Sequence, residues 1–241
     1  MRRYYYDLHT HSCLSPCADD DNTPNNLLGM ASLAGIEILA LTDHNTVKNC
    51  PAFFKAADRY GVIPIAGMEL TTSEDIHVIC LFEELSSALD FDKYLNDYRI
   101  PIESRPDIFG HQIITDENDL VIGEEKNLLS NATTVSIEDV PMHVKKFGGI
   151  CYPAHIDRDA NCIRSTLGTF HETPFFSCVE FHDRGKIAEY KEKYALRDKL
   201  FIVSSDAHYL TDINDKENFF ELEGNSPDTV RKHLFKIFKE K

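Results

Sequence analysis

The stretch YDLHTHSCLSPCADDDNTP, residues 6–24, decides how the rest of the chain is read. It opens as a strand and closes on Pro24, a residue suited to a first helical turn, so it forms a β-to-α passage. Within it Asp7, His9 and His11 fall at every second position, and alternate residues of a strand share one face. Two imidazoles and a carboxylate therefore project together, followed by a loop crowded with Asp19, Asp20 and Asp21. Such a pattern has meaning only if other parts of the chain supply partners.

Working outward, strands and helices alternate. TPNNLLGMASLAG (23–35) reads as a helix closed by Gly35, IEILALTDH (36–44) as a buried strand, and residues 51–60 as a helix. VIPIAGMEL (62–70) and IHVICLF (76–82) are strands, and SSALDFDKYLNDY (86–98) is a helix. Residues 100–135 are polar, with two short apolar pieces around DEND, and read as an insertion bearing a hairpin. SIEDVPMHVKKFGG (136–149) is a helix capped by Ser136. ICYPAH (150–155), SCVEFH (177–182) and FIVSSDAH (201–208) are strands, with KIAEYKEKYALR (186–197) a helix between the last two. SPDTVRKHLFKIFKEK (226–241) is an amphipathic helix with Ser226 as its cap. The alternation predicts an α/β fold of one domain over residues 1–241, with a mostly parallel sheet.

Bulk properties narrow the function. A 42% hydrophobic content over 241 residues supports a sizeable core, and no apolar run is long enough for a membrane span. Seven scattered cysteines and an N-terminus without an apolar signal segment predict reduced thiols and a cytoplasmic protein. The formal charge of −15 argues against a groove that tracks a polyanion, so a small substrate and no long nucleic acid are expected.

In parallel barrels the chemistry sits at the C-terminal ends of strands. Here successive strands end in His9 and His11, in Asp43 and His44, near Glu69, in His155, and in Asp206 and His208. His77 is the exception, because it opens its strand. Each taken singly has an ordinary structural explanation. Jointly they do not, because all would have to gather at one end by accident. Imidazoles with carboxylates suit Zn, Mn or Fe, and seven or eight donors exceed the needs of one four-coordinate ion.

Together DLHTH, LTDHN, GMELT, PAH and SSDAH resemble the PHP domain family (polymerase and histidinol phosphatase). The resemblance runs from residue 5 to about 210. It implies a distorted (β/α)7 barrel with a trinuclear metal site, ligated by His9, His11, His44, Glu69, His77, His155, Asp206 and His208, with Glu69 bridging two metals. The family's usual loop carboxylate or imidazole is displaced, since Pro16 and Cys17 occupy its normal distance from His11. Counting back five residues from Pro24 gives Asp19 as the loop ligand, with Cys17 as its rival. Asp7 is expected to orient a ligand imidazole from behind.

The reading that follows is a metal-dependent phosphoesterase using two to three divalent ions and a metal-generated hydroxide on a small phosphorylated substrate. That substrate would be a nucleotide, an oligonucleotide end or another phosphomonoester. Glu69, Arg158 and His182 are assigned catalytic parts: Arg158 to hold a phosphate oxygen and His182 to protonate the leaving group, with Arg184 and Lys186 as substitute cations. The alternatives are a non-catalytic metal-binding scaffold and an amidohydrolase-type hydrolase.

Overall fold

Apolar residues alternate along the strands so that both sheet faces are dry, and this sets the layering. The computed structural model describes residues 1–168 and 176–241. The chain runs β1 (Arg2–Asp7), α1 (Pro24–Ala34), β2 (Ile38–Leu41), α2 (Cys50–Ala57), β3 (Ile63–Thr71), β4 (His77–Phe82) and α3 (Leu85–Leu95). The insertion holds α4 (Pro106–Phe109), β5 (Ile113–Thr115) and β6 (Val121–Glu124). Then come α5 (Val140–Lys145), β7 (Ile150–Pro153), α6 (Ile163–Leu167), β8 (Cys178–Phe181), α7 (Ile187–Lys193), β9 (Leu200–Val203), β10 (Phe219–Leu222) and α8 (Pro227–Lys239). Among the described residues no helix is long and apolar enough to cross a membrane.

Six strands form one sheet in the order β10-β1-β2-β3-β4-β7, and β8 pairs with β9. Leu8, Ile38, Ala40, Ile65, Ile79, Tyr152 and Ile202 fill the concave side. Leu39, Leu41, Met68, Val78 and Cys80 face outward against the helices. Helix α8 closes one end of the concave core with Leu234, Phe235 and Phe238, the last stacked on Tyr152. Its Ser226 cap accepts from the Thr229 backbone N–H, as its sequence requires.

The sheet is mixed, which corrects the expectation of a mostly parallel one. β1–β2, β2–β3 and β8–β9 are parallel, whereas β10–β1, β3–β4 and β4–β7 are antiparallel. The cause lies in residues 72–76, which join β3 to β4. A parallel crossover needs a dozen residues or more, so this short link forces a hairpin. Two further elements differ from the sequence reading. β10 adds an antiparallel edge to β1. Helix α5 starts at Val140 rather than beside Ser136, whose hydroxyl donates to Asp139 Oδ2 at 2.8 Å. The expected hairpin in the insertion is β5–β6.

The reversal of β4 matters for the site. Because β4 runs against its neighbours, its first residue, His77, lies at the same edge as the last residues of β3, where Thr71 is its register partner. Opening an antiparallel strand is thus equivalent to closing a parallel one. Two contacts draw the outer strands inward: a bridge pairs Thr10 with Ala207, and the Ile156 N–H donates to the Glu180 carbonyl at 2.8 Å.

Candidate metal centre

Glu69 leaves the end of β3 fully buried, and five imidazoles surround its two oxygens. His77 Nδ1, His155 Nε2 and His9 Nε2 lie 2.8, 3.0 and 3.4 Å from Oε1. His44 Nδ1 and His11 Nε2 lie 3.1 and 3.4 Å from Oε2. Asp206 stands opposite, its Oδ1 at 3.2 Å from His9 Nε2 and 3.3 Å from His11 Nε2. His208 Nδ1 is 3.6 Å from the same oxygen and donates to the Asp206 carbonyl at 2.8 Å. His155 and Asp206 hold left-handed backbone angles, φ +27° and +54°, which non-glycine residues rarely adopt and which collect at functional sites.

Charge is shared unequally. Burial pushes Glu69 up, yet the imidazoles of His77, His9 and His44 outweigh it and hold the carboxyl well below its usual range. Burial lowers His9, but Glu180, Asp206 and Glu69 raise it well above an ordinary imidazole. His208 is pushed down to about 4, by burial first and by His11 next. Burial likewise holds His44 well below an ordinary imidazole.

The donor set fits divalent metal ions. His44 Nδ1 and His77 Nδ1 are buried beside Glu69, and Asp206 Oδ1 is buried beside His9, yet none is in hydrogen-bonding geometry. Three sets of donor atoms each gather within 4.8 Å: His11, His44 and His208; His9, His11, Glu69 and Asp206; and His44, Glu69 and His77. Shared members make these one cluster.

A layer behind the cluster fixes the rings. Glu180 Oε1 accepts from His9 Nδ1 at 2.8 Å and from the His155 backbone N–H at 3.1 Å. Ser15 Oγ faces His11 Nδ1 at 2.9 Å and donates to Asp43 Oδ1 at 2.8 Å. Such partners select the tautomer and leave the opposite nitrogen free to ligate. Asp7, expected to hold an imidazole, instead accepts from the backbone N–H groups of His9 and Ser205, at 3.3 and 3.1 Å.

The expected loop ligand stands away from the cluster. Asp19 is exposed and its Oδ1 accepts from the Asp21 N–H at 2.9 Å; neither it nor Cys17 belongs to the three donor sets. Its rival Cys17 lines the cavity over the cluster, with Sγ 3.2 Å from His44 Nε2. That cavity, about 580 Å³, also carries Arg158, His182 and Lys186. Arg158 Nη1 meets Asp206 Oδ2 at 2.8 Å, and its Nη2 lies 3.3 Å from His182 Nδ1. Lys186 Nζ donates to the Asp157 carbonyl at 3.1 Å, while Arg184 turns away to Asn218. Sequence reasoning did not single out Glu180. Its signal was a lone carboxylate inside the apolar strand SCVEFH, overlooked because only strand ends were weighed.

The chain belongs to the PHP domain family, which it matches over residues 7–195. It is 38% identical over 77 residues to an error-prone DNA polymerase of Symbiobacterium thermophilum and 34% identical over 91 residues to a 5'-3' exoribonuclease of Haemophilus influenzae. Those matches take in 32% and 36% of this chain, and 7% and 29% of the relatives. Its fold is similar to that of the lesion-specific endonuclease EndoQ from Pyrococcus furiosus, with TM-score 0.65 and 16% identity over 98% of this chain and 56% of EndoQ. It is also similar to a candidate metal-dependent phosphoesterase from Bifidobacterium adolescentis, with TM-score 0.63 and 18% identity over 96% of both chains.

One expectation falls here. Endonuclease Q has been crystallised with a 27-mer duplex substrate carrying an abasic lesion, in a chain that this fold matches with TM-score 0.64, 16% identity and 96% coverage of this chain against 56% of that one. The argument from net charge against a long nucleic acid therefore does not stand. A global charge of −15 averages over the surface, whereas a nucleic acid meets only the local field around the site.

Proposed function

We propose that the chain is a metal-dependent hydrolase of phosphate esters, a phosphoesterase acting at the Glu69-centred cluster. The observation that carries this reading is the convergence of six imidazoles on two buried carboxylates beneath a cavity bearing Arg158, Lys186 and His182. His9, His11, His44, Glu69, His77, His155, Asp206 and His208 would hold about two to three divalent ions, Zn, Mn or Fe, because they outnumber the ligands of one four-coordinate ion. Such ions supply Lewis acidity toward a phosphoryl oxygen and bring the ionisation of water near neutral pH.

The side chains do the rest. Glu69 presents one oxygen to His77 and His155 and the other to His44, so it is placed to bridge. The Arg158 guanidinium offers paired planar donors to nonbridging phosphate oxygens, and Lys186 adds a second cation. His182 stands next to Arg158, where it can pass a proton to the leaving oxygen. These cations favour a phosphate ester over the neutral amide that an amidohydrolase would take. The substrate class is a nucleotide phosphate ester, free or at a position in a nucleic-acid chain. The family membership and the names of the partial relatives support that choice. The same reading takes β1–β4 and β7–β9 as a distorted seven-stranded barrel of one domain, supported by the Thr10–Ala207 bridge and the Ile156–Glu180 hydrogen bond.

The test is turnover of mononucleotides, short oligonucleotides, duplex DNA with and without an abasic position, and sugar phosphates by chain loaded with Mn, Zn or Fe. Metal-dependent hydrolysis that a chelator abolishes is expected. A metal-loaded chain that cleaves none of them would point to the scaffold alternative.

A further inference from the structure

We propose that Cys17 is a metal ligand, its thiolate completing the coordination of an ion held by His11, His44 and His208 in the place where Asp19 was expected. This rests on the metal-cluster reading above and extends it to one position where this chain departs from its family's pattern. The three imidazoles bring donor atoms within 4.8 Å of one another, one donor short of a four-coordinate set, and Cys17 Sγ stands outside that set, beside its His44 member. Cys17 Sγ lies 3.2 Å from His44 Nε2. Two donors on one ion are separated by at most the sum of their bonds, about 4.4 Å for a thiolate and an imidazole, so this pair is within reach of a shared ion. His44 is itself buried, and its other ring nitrogen has no hydrogen bond. The ring is thus poised between Glu69 and Cys17.

The loop is built to present this side chain. Alternate residues contact the three histidines in turn, two through the ring and one through the main chain: Ser15 Oγ meets His11 Nδ1 at 2.9 Å, Cys17 meets the His44 ring, and the Asp19 backbone N–H donates to the His208 backbone carbonyl at 3.0 Å. Between them Pro16 is clamped by the insertion, since a Cβ on Gly110 would stand only 2.2 Å from the Pro16 carbonyl oxygen. The Asp19 side chain is meanwhile exposed, with Oδ1 accepting from the Asp21 N–H. Cys17 is also the one exposed cysteine, the others being buried or half-buried. Binding exchanges the thiol S–H bond for a sulfur–metal bond, with the proton released to solvent. A thiolate tilts this subsite toward Zn, Fe(II) or Co(II) and away from Mg and Mn.

Cobalt(II) titration of the chelator-stripped full chain tests this. Visible d–d bands report occupancy of the cluster, and a sulfur-to-cobalt charge-transfer band in the near ultraviolet reports thiolate ligation. The wild type should show both. Cys17→Ser should lose the charge-transfer band and keep the d–d bands, and Cys17→Asp should behave likewise. Occupancy without charge transfer in the wild type, or charge transfer that survives Cys17→Ser, overturns the proposal and leaves the cluster standing. Absence of all cobalt bands would overturn the cluster and this proposal together. Alkylation gives a second reading: iodoacetamide should modify Cys17 in stripped protein and be blocked by Zn, and equal labelling with and without Zn contradicts ligation.

Discussion

Replacing Glu180 by Gln separates the positioning of His9 from simple structural support. The carboxylate is buried, with Oε1 accepting from His9 Nδ1 and the His155 N–H, while Oε2 has no hydrogen bond. A Gln side chain keeps an acceptor for both donors and puts its NH2 where no bond is lost. That buried NH2 has no acceptor, so metal-free stability should fall by about 1–3 kcal/mol. What disappears is the negative charge that makes His9 a better donor at Nε2. Removing such a partner weakens metal binding by about 10–100-fold, or roughly 1.4–2.7 kcal/mol. Glu180→Ala should do more, because two buried donors then go unpaired at about 1–3 kcal/mol each and His155 loses a support for its strained backbone. Competition titration of Zn against a fluorescent chelator, alongside urea unfolding of stripped protein, reads both quantities. An unchanged Zn affinity in Glu180→Gln, or a loss confined to metal-free stability, would refute the positioning role.

Arg158→Ala should keep its metals, checked by elemental analysis, and lower kcat/KM by about 10²-fold, as expected for a well-placed donor to developing charge. If activity is unchanged, the clamp belongs to Lys186. Gly110→Ala should destabilise the chain by about 1–3 kcal/mol in urea unfolding, because the new Cβ meets the Pro16 carbonyl at 2.2 Å and the residue sits at φ +94°. Adding Zn to stripped protein should raise Tm with a concentration dependence, by about 2.7 kcal/mol of stability at 100 times Kd. A Tm indifferent to Zn would count against a native-state cluster.

Much of this was legible in the residues, and the failures have physical causes. Apolar runs and caps located β1–β4, β7–β9 and α8, because burial on both faces leaves a strong signature. Strand direction did not follow from the same signal. Only the length of the 72–76 link carries it, and that link is what brings His77 into line with the other strand ends. Counting residues to Asp19 could not tell that its side chain is exposed and accepts from the Asp21 N–H, nor that Gly110, distant in sequence, presses on Pro16. Glu180 stayed hidden since a mid-strand position gives no sign of which ring it will meet. The acidic composition misled about partners, because it sums the whole surface and is silent on the cavity, where Arg158 and Lys186 stand.

The central claim is that Glu69 organises a cluster of metal ions rather than a single site. Native mass spectrometry of the chain reconstituted with Zn or Mn measures this directly, compared with Glu69→Ala. The account predicts about two to three ions in the wild type, as the number of donors requires, and a smaller number in the variant. At most one ion bound to the wild type, or an equal number on Glu69→Ala, would contradict it.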